Sequence, residues 1–316
     1  MEIKKGKVSI CITTYNRPKL LRELLESILI QSYQNFEIII TDNSNNTDTK
    51  EMVKKINSNK IKYIKNDRNI GMGKNALKAF SYVDGEFMTF TPDDDLWNDK
   101  TKIEKQVKVL NQYKNINIVY SNANSIDYNG NLLDEFTSIY DGDEFKFLKG
   151  EELLPGNETN YFLNILTAML RSEKLLNIFK ESYHYNSEEY LCYYIGATEE
   201  EIGFISKKLV SLREAEHYRE VEKKGKILDW KKAKDIRIKQ ILGIFSTLIN
   251  LHPETCDKLE TQKVELFLGK HIIRTAIQSK NIFLILKTIF SVYLFFEEFS
   301  LIKAFKLKNN KKKSFG

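Results

Sequence analysis

Apolar and polar residues follow two alternating patterns along the first 125 residues. Short apolar runs predict five strands, at 8–13, 36–42, 61–66, 86–90 and 116–122. Between these runs, apolar residues recur at helical spacing, and Pro18 marks the start of the first predicted helix. Strands that alternate with helices predict an α/β fold with a mainly parallel, doubly wound sheet.

The pattern changes along the rest of the chain. Apolar residues predict a helix at 162–176 and a returning strand at 203–214, and after residue 222 every periodic segment is helical. We therefore predict an α/β domain over 1–222 and a helical C-terminal extension over 223–316.

Polar residues follow three of the predicted strands directly. Tyr15 and Asn16 follow the first strand, Asp42 ends the second, and three aspartates at 93–95 follow the fourth. In parallel sheets the carboxyl ends of the strands share one edge, where ligands bind. The sequence therefore predicts a binding site at this edge.

Composition and charge are those of a globular protein that does not bind nucleic acid. The 316 residues are 42% hydrophobic and 29% charged, which is enough for a sizeable core. The net charge of +6 equals the six lysines of residues 300–316, a stretch without acidic residues. The remaining chain is neutral overall, whereas a body that binds nucleic acid is expected to be basic.

Cysteine usage and the first residues favour the cytoplasm. Cys11, Cys192 and Cys256 are odd in number and show no metal-ligand or disulfide spacing, which predicts reduced thiols. The chain runs from a short charged segment straight into the first strand, which predicts no signal peptide.

The three aspartates at 93–95 have two interpretations. Carboxylates at a strand end suit Mg²⁺, which takes carboxylate, phosphate and water oxygens. The same residues suit an Asp-rich turn before the helix predicted from residue 100. Their spacing alone leaves both interpretations open.

Four motifs together carry a resemblance to a known family. In this order and spacing, "VSICITTYNRPKLL", "FEIIITDNSNNTDT", "NIGMGKNALKAF" and "TPDDDLW" resemble the nucleotide-sugar half of family 2 glycosyltransferases. That family consists of inverting enzymes with the GT-A fold, and the likeness here is to the bacterial type that builds surface glycans. The resemblance covers residues 7–125 and continues more weakly to 217.

The resemblance implies roles around a nucleotide-sugar donor. Asp42 is expected to accept the imide proton of uracil. The other residues expected around the donor are Thr13, Tyr15, Arg17, Asn43, Asn69, Gly71, Gly73, Asn75, Asp93 and Arg213. The structural alternatives are a turn cap at Asp42, ordinary turn glycines and a packing aromatic at Tyr15.

The resemblance also implies a divalent metal cofactor, Mn²⁺ or Mg²⁺. Asp93 and Asp95 are the expected metal pair, and Asp94 is expected to face the donor sugar. Pro92 stands where the family often has its first Asp, so the register stays open by one residue. His217 is a further metal candidate, with a structural histidine as the alternative.

A catalytic base is expected in the segment "NSEEYLCYYIG", which resembles the acidic pair and aromatic of the family. Glu189 is expected to take the proton of the acceptor hydroxyl, with its neighbour Glu188 as the other candidate. The alternative is that both carboxylates only stabilise the first turn of a helix.

These roles imply a hexosyl- or N-acetylhexosaminyltransferase of polysaccharide biosynthesis. It would move a sugar from a donor such as a UDP-sugar to a glycan, lipid-linked or protein-linked acceptor. A sugar nucleotidyltransferase is one alternative, although "TTYNRP" lacks the glycine of a phosphate-binding loop. A non-catalytic scaffold that binds glycan is the other.

The C-terminal residues favour contact with the inner face of the cell membrane. Residues 282–305 are apolar, but the longest uncharged run, 288–296, is far shorter than the roughly 20 residues that span a bilayer. An apolar helix followed by six lysines suits a peripheral position on anionic lipid. The alternative is a helix of the core or of a homodimer.

Overall fold

We analysed a computed structural model, which describes residues 2–133, 144–154, 164–184, 188–214 and 251–252. The chain divides into two compact units. The first comprises Met1–Leu153 and Tyr161–Glu220, and the second comprises Leu154–Asn160 and Val221–Gly316. The predicted boundary after residue 222 and the predicted helices beyond it lie outside the described residues.

The described residues of the first unit form eight strands and six α-helices. The strands are β1 (Lys4–Thr14), β2 (Phe36–Asp42), β3 (Ile61–Lys65), β4 (Gly85–Pro92), β5 (Ile118–Ile126), β6 (Phe145–Lys149), β7 (Met169–Arg171) and β8 (Glu201–Arg213). The helices are α1 (Pro18–Leu29), α2 (Asp48–Ile56), α3 (Met72–Phe80), α4 (Lys102–Gln112), α5 (Ser172–His184) and α6 (Glu188–Thr198). Short 3-10 helices cover Gly150–Leu153 and Ile165–Thr167.

All eight strands belong to one sheet in the order β3-β2-β1-β4-β7-β5-β8-β6. The first four strands of this order are mutually parallel, and β5 is parallel to β8. The other two strands, β7 and β6, run antiparallel to their neighbours. The predicted α/β class with a mainly parallel sheet is confirmed.

Burial explains why β1 lies inside the sheet. Ile10, Cys11 and Ile12 are fully buried, so both faces of this strand are covered. On α1, five apolar residues that share one face are buried, namely Leu20, Leu21, Leu24, Leu25 and Ile28. Strands covered on both faces read as continuous apolar runs, which is why the sequence pattern located them.

The helix predicted at 162–176 is wrong in its first part. Residues Met169–Arg171 form β7, which pairs antiparallel with both β4 and β5, and the helix begins only at Ser172. An apolar run of this length suits a buried strand as well as a helix, and here the backbone groups of two neighbouring strands provide its partners.

Candidate active site

A pocket of about 290 Å³ lies at the carboxyl ends of β1, β2 and β4. This volume is close to the lower end of the range for ligand pockets, roughly 300–1,000 Å³. The predicted donor residues among its lining are Thr13, Tyr15, Arg17, Asn43, Asn69, Gly71, Asn75 and Asp93. The remaining lining residues, which the sequence analysis did not name for a ligand, are Thr14, Met72 and Pro92.

One end of the pocket carries opposite charges, and we call Arg17, Asp93 and Asp94 the charged end. Arg17 Nη1 lies 3.2 Å from Asp93 Oδ1 and 2.7 Å from Asp94 Oδ2. Asp93 Oδ2 accepts hydrogen bonds from Thr14 Oγ1 at 2.6 Å and from the Tyr15 backbone N–H at 3.3 Å. Because 49% of the Arg17 side chain is exposed, a ligand can reach the guanidinium.

Burial makes two of the three aspartates weak acids. It raises the pKa of Asp93 to about 6, although the Thr14 hydroxyl and Arg17 act in the opposite direction. It raises the pKa of Asp95 to about 8. Both carboxyl groups therefore favour a nearby cation when they ionise.

Arg213 supports the loop of aspartates from behind. Its backbone N–H donates to Asp95 Oδ1 at 3.0 Å, and its Nε donates to the Asp94 carbonyl oxygen at 2.7 Å. Its other guanidinium nitrogens contact the carbonyl oxygens of Asp127 and Tyr128 and a carboxylate of α1. With its side chain 3% exposed, Arg213 lies behind the loop and is not part of the pocket lining.

The other end of the pocket is built from amides, and we call Asn43, Asn66 and Asn75 the amide end. Asn43 and Asn75 line the pocket, and Asn66, which follows β3, joins them by hydrogen bonds. Gly71 closes this end with φ 85°, a left-handed conformation that favours glycine. The Gly71 N–H donates to Asn69 Oδ1 at 2.8 Å, which fixes the turn.

Asp42 is fully buried beside this end and is not among the lining residues. Its Oδ1 accepts from the Ser44 N–H at 2.6 Å. Its Oδ2 accepts from the Tyr63 hydroxyl at 2.5 Å and from Lys65 Nζ at 3.3 Å. Both carboxylate oxygens are thus bonded to protein groups, and burial together with this bond raises the pKa of the Tyr63 hydroxyl.

The remaining predicted site residues lie away from the pocket or outside the described residues. Gly73 lies in the first turn of α3 and not in the turn that lines the pocket. Glu188 and Glu189 begin α6, but their side chains lie outside what the structure describes. His217 also lies outside the described residues.

Three residues around the amide end, namely Asn66, Tyr63 and Lys65, were not predicted from the sequence. One signal could have found Asn66, because it ends a predicted strand, as Asp42 does. The other two are members of β3, and their contact with Asp42 depends on the pairing of β2 with β3. Neither the periodicity nor the composition of the sequence predicts that β2 pairs with β3.

Two kinds of feature are absent from the described residues. Within ranges 2–133, 144–154, 164–184, 188–214 and 251–252, no three Asp, Glu, His or Cys side chains are grouped as metal ligands. Within the same ranges, no helix has the length and the apolar character required to cross a bilayer.

Comparison with protein families gives a match over the pocket-bearing part of the chain. The family described as "Glycosyl transferase family 2" matches residues 9–158. An uncharacterised glycosyltransferase of Methanocaldococcus jannaschii is 37% identical over 139 residues, which are 43% of this chain and 48% of the relative. This chain spans about half or less of the length of the first curated relatives it matches.

Two relatives have named substrates. The UDP-Glc:alpha-D-GlcNAc-diphosphoundecaprenol beta-1,3-glucosyltransferase WfgD of Escherichia coli is 27% identical over 184 residues, covering 58% of this chain and 67% of that protein. The GalNAc(5)-diNAcBac-PP-undecaprenol beta-1,3-glucosyltransferase of Campylobacter jejuni is 32% identical over 136 residues, 42% of each chain.

The solved structures include S. aureus TarS 1-349 in complex with UDP-GlcNAc. It aligns with a TM-score of 0.62 and 20% identity over 84% of this chain and 72% of that one. The complex of the same protein with UDP aligns with a TM-score of 0.60. At this level of identity the alignment shows a shared fold. Residues 9–158 thus match the sequence pattern of glycosyl transferase family 2, and the α/β domain has the GT-A fold.

Proposed function

We propose that this protein is an inverting glycosyltransferase that moves glucose from UDP-glucose to a hydroxyl group of a lipid-linked glycan. The observation that carries the proposal is a single pocket with a cationic guanidinium at one end and neutral amides at the other. Such a pocket suits a ligand with a charged diphosphate and an uncharged base. The names of the Escherichia coli and Campylobacter jejuni relatives support glucose as the sugar and a diphosphoundecaprenol-linked acceptor.

The charged end suits the diphosphate. The Arg17 side chain is half exposed. Its planar guanidinium group can donate two parallel hydrogen bonds to phosphate oxygens. When the bond between the sugar and the diphosphate breaks, negative charge grows on the leaving phosphate. Fixed positive groups stabilise that charge, and such electrostatic stabilisation usually contributes more to catalysis than any other single effect.

The aspartates at 93–95 fit a divalent cation by their chemistry. Carboxylate oxygens are preferred ligands of Mg²⁺, and Asp95 Oδ2 is a buried oxygen without a hydrogen-bond partner among the described residues. Asp93 and Asp95 remain the proposed pair, and Asp94, whose side chain at 19% exposed is more open than Asp93 at 5%, would face the donor sugar. A bound Mn²⁺ or Mg²⁺ would supply Lewis-acid neutralisation of the diphosphate.

Glu189 is the proposed general base. A carboxylate opposite the leaving group accepts the proton of the acceptor hydroxyl as the new bond forms, and transfer then inverts the anomeric centre. Its position in the first turn of α6 is compatible with this role. The extension 223–316 would place the protein at the inner face of the membrane, where a lipid-linked acceptor is available.

Transfer of labelled glucose from UDP-glucose to a synthetic GlcNAc-diphospholipid tests the proposal. We expect Glu189→Gln to keep UDP binding and to reduce transfer by at least about a hundredfold, the usual scale for loss of a general base. Glu173→Gln is a matched control, since Glu173 also lies in the first turn of a helix but is exposed on α5.

Three outcomes would overturn all or part of the proposal. A purified chain that transfers sugar from no UDP-sugar would favour the non-catalytic scaffold. Release of diphosphate from a sugar phosphate and UTP would favour the nucleotidyltransferase. An active Glu189→Gln with an inactive Glu188→Gln would assign the base to the neighbouring residue.

A further inference from the structure

Arg17 connects the start of α1 to the loop of aspartates that follows β4. It directly precedes Pro18, the first residue of the helix. Both of its contacts with the aspartates come from one nitrogen, Nη1, which donates to Asp93 Oδ1 at 3.2 Å and to Asp94 Oδ2 at 2.7 Å. A guanidinium has five N–H groups, and Nη1 carries two of them. One corner of the guanidinium therefore holds the aspartates, while the edge formed by Nε and Nη2 has no described partner.

The two oxygens of Asp93 differ in what they have left for a cation. Oδ2 accepts from the Thr14 hydroxyl and from the Tyr15 N–H, which uses both of its lone pairs. Oδ1 accepts from Arg17. The oxygen of Asp93 that remains for a cation is therefore the one that Arg17 contacts.

Asp95, the other proposed metal ligand, has no such contact with Arg17. Its Oδ1 accepts from the Arg213 backbone N–H at 3.0 Å. Its Oδ2 is buried and has no hydrogen-bond partner among the described residues. One of the two proposed ligand oxygens is thus open, and the other is paired with a guanidinium.

A guanidinium and a divalent cation at the same carboxylate oxygen repel each other. Mg²⁺ lies 2.0–2.1 Å from its ligand oxygens, so at Asp93 Oδ1 it would lie within roughly 5 Å of Arg17 Nη1. The Asp93 side chain is 5% exposed, so little water screens this repulsion. Arg17 must therefore move away from Asp93 before that oxygen can bind a divalent cation well.

The exposed edge of Arg17 gives the guanidinium an alternative partner. Because 49% of the side chain is exposed and Arg17 lines the pocket, a diphosphate can reach Nε and Nη2. Phosphate oxygens accept two parallel hydrogen bonds from such an edge. A guanidinium bonded in this way has less to gain from the aspartates, which then have a carboxylate to offer a cation.

We propose that Arg17 competes with the divalent cation for Asp93 and releases this carboxylate when a nucleoside diphosphate binds, so that Arg17 couples cation binding to nucleotide binding. The inference rests on the proposed function, since it assumes a cation at the aspartates and a diphosphate at the charged end. Such coupling is reciprocal, because the factor by which the nucleotide strengthens cation binding is also the factor by which the cation strengthens nucleotide binding.

Titration of the full chain with Mn²⁺ and no nucleotide tests the competition directly. Electron paramagnetic resonance measures the Mn²⁺ that stays free in solution. We expect Arg17→Gln to bind Mn²⁺ about tenfold more tightly than wild type, because the competing guanidinium is gone. An affinity for Mn²⁺ that is unchanged or weaker in Arg17→Gln would overturn the inference.

Calorimetric titration with UDP, with and without saturating Mn²⁺, tests the coupling. We expect Mn²⁺ to strengthen UDP binding in wild type by a factor about ten times larger than in Arg17→Gln, since in the variant no guanidinium has to leave Asp93. An equal factor in the two proteins would mean that the phosphate alone couples the ligands, and would remove Arg17 from this role.

Two further variants make the test specific to the position of Arg17. Arg22→Gln removes the same charge from an exposed position of α1 and should change neither the Mn²⁺ affinity nor the coupling. A tenfold gain in Mn²⁺ affinity with Arg22→Gln would assign the effect to net charge and overturn the inference. Arg17→Met, which keeps an unbranched side chain, should reproduce the result of Arg17→Gln, and is measured in its place if that variant does not fold.

The same titrations separate failure of the inference from failure of the proposed function. Wild-type protein that binds no UDP would overturn both. Wild-type protein that binds UDP, but Mn²⁺ neither alone nor with UDP, would overturn the proposed cation and this inference. Tight binding of both ligands by wild type, with no gain in Mn²⁺ affinity on loss of Arg17, would overturn this inference alone.

Discussion

The two ends of the pocket are built at the same edge of the sheet by opposite means. At the charged end, one guanidinium and two carboxyl groups meet within hydrogen-bond distance, and the guanidinium is half exposed. At the amide end, neutral groups bond almost entirely to one another and to backbone atoms. The difference indicates that charge is available where the proposed ligand carries phosphate, while fixed orientation is available where the ligand carries an uncharged base.

The two ends also differ in what replacing a side chain removes. At the charged end a substitution removes a charge that a ligand contacts directly, so the effect should fall on ligand binding and turnover. At the amide end a substitution reorients neighbours, so the effect should fall on which base is preferred. Variants of the charged end should therefore have the larger effects.

The largest effect is expected from Asp93→Asn. The substitution removes a carboxylate that Thr14, Tyr15 and Arg17 all contact, and with it a proposed metal ligand. We expect sugar transfer to fall by at least about a hundredfold, the usual scale for loss of one group that stabilises transition-state charge. The urea midpoint should stay near that of wild type, because burial already favours the neutral form of this carboxyl group.

Asp48→Asn is the matched control, since Asp48 is exposed in the first turn of α2 and should be replaceable without loss of transfer. Transfer by Asp93→Asn at the wild-type rate would remove Asp93 from the site. If wild-type protein still transfers sugar in saturating EDTA, the proposed metal is not required. That result would not contradict the proposed binding of diphosphate at the charged end.

Arg17→Gln is expected to have an intermediate effect and to separate the two ends. Calorimetry should give about tenfold weaker binding of UDP and unchanged binding of uridine, because the guanidinium is placed to contact phosphate and not base. Arg22→Gln, which changes an exposed arginine of α1, should affect neither ligand. Equal losses for UDP and uridine would show that the two ends do not bind separate parts of the ligand.

The charged end was easier to predict than the amide end, for a physical reason. Three adjacent aspartates repel one another and disfavour regular structure, so their presence after an apolar strand indicates a function. Asn66 gives no such indication, because a single asparagine after a strand is typical of an ordinary turn. Its contacts join residues that follow β2 and β3 to a residue in α3, and the sequence pattern contains no information on those contacts.

The same limit explains the outcome for the fold. The strands β1, β2 and β4 are continuous apolar runs, and the pattern located them within a few residues. Strand β7 has only three residues and lies between a 3-10 helix and an α-helix. A strand this short leaves no alternating pattern in the sequence, and the apolar residues around it fit helical spacing. Only the space between β4 and β5 makes it a strand.

The smallest effect is expected from a buried lysine of α4. Lys102 is fully buried, its Nζ donates to Gln106 Oε1 at 2.8 Å and lies 4.3 Å from the centre of the Trp97 ring, and no described carboxylate pairs with it. Burial lowers the pKa of Lys102 to about 7, against 10.5 in the unfolded chain. Between these values the unfolded chain binds more protons than the folded one, so this group makes the free energy of unfolding rise with pH, by up to about 1.4 kcal/mol per pH unit.

Lys102→Met should therefore remove a pH dependence that the wild type has. We expect the free energy of unfolding in urea to rise between pH 7.0 and 8.5 by about 1.6 kcal/mol more in wild type than in the variant. Asp93 and Asp95 titrate in both proteins, so their contribution cancels in this difference, and the lost bond to Gln106 lowers stability at both pH values. Lys108→Met, an exposed position of the same helix, should keep the wild-type slope. If Lys102→Met has that slope too, then Lys102 remains charged inside the fold throughout this pH range.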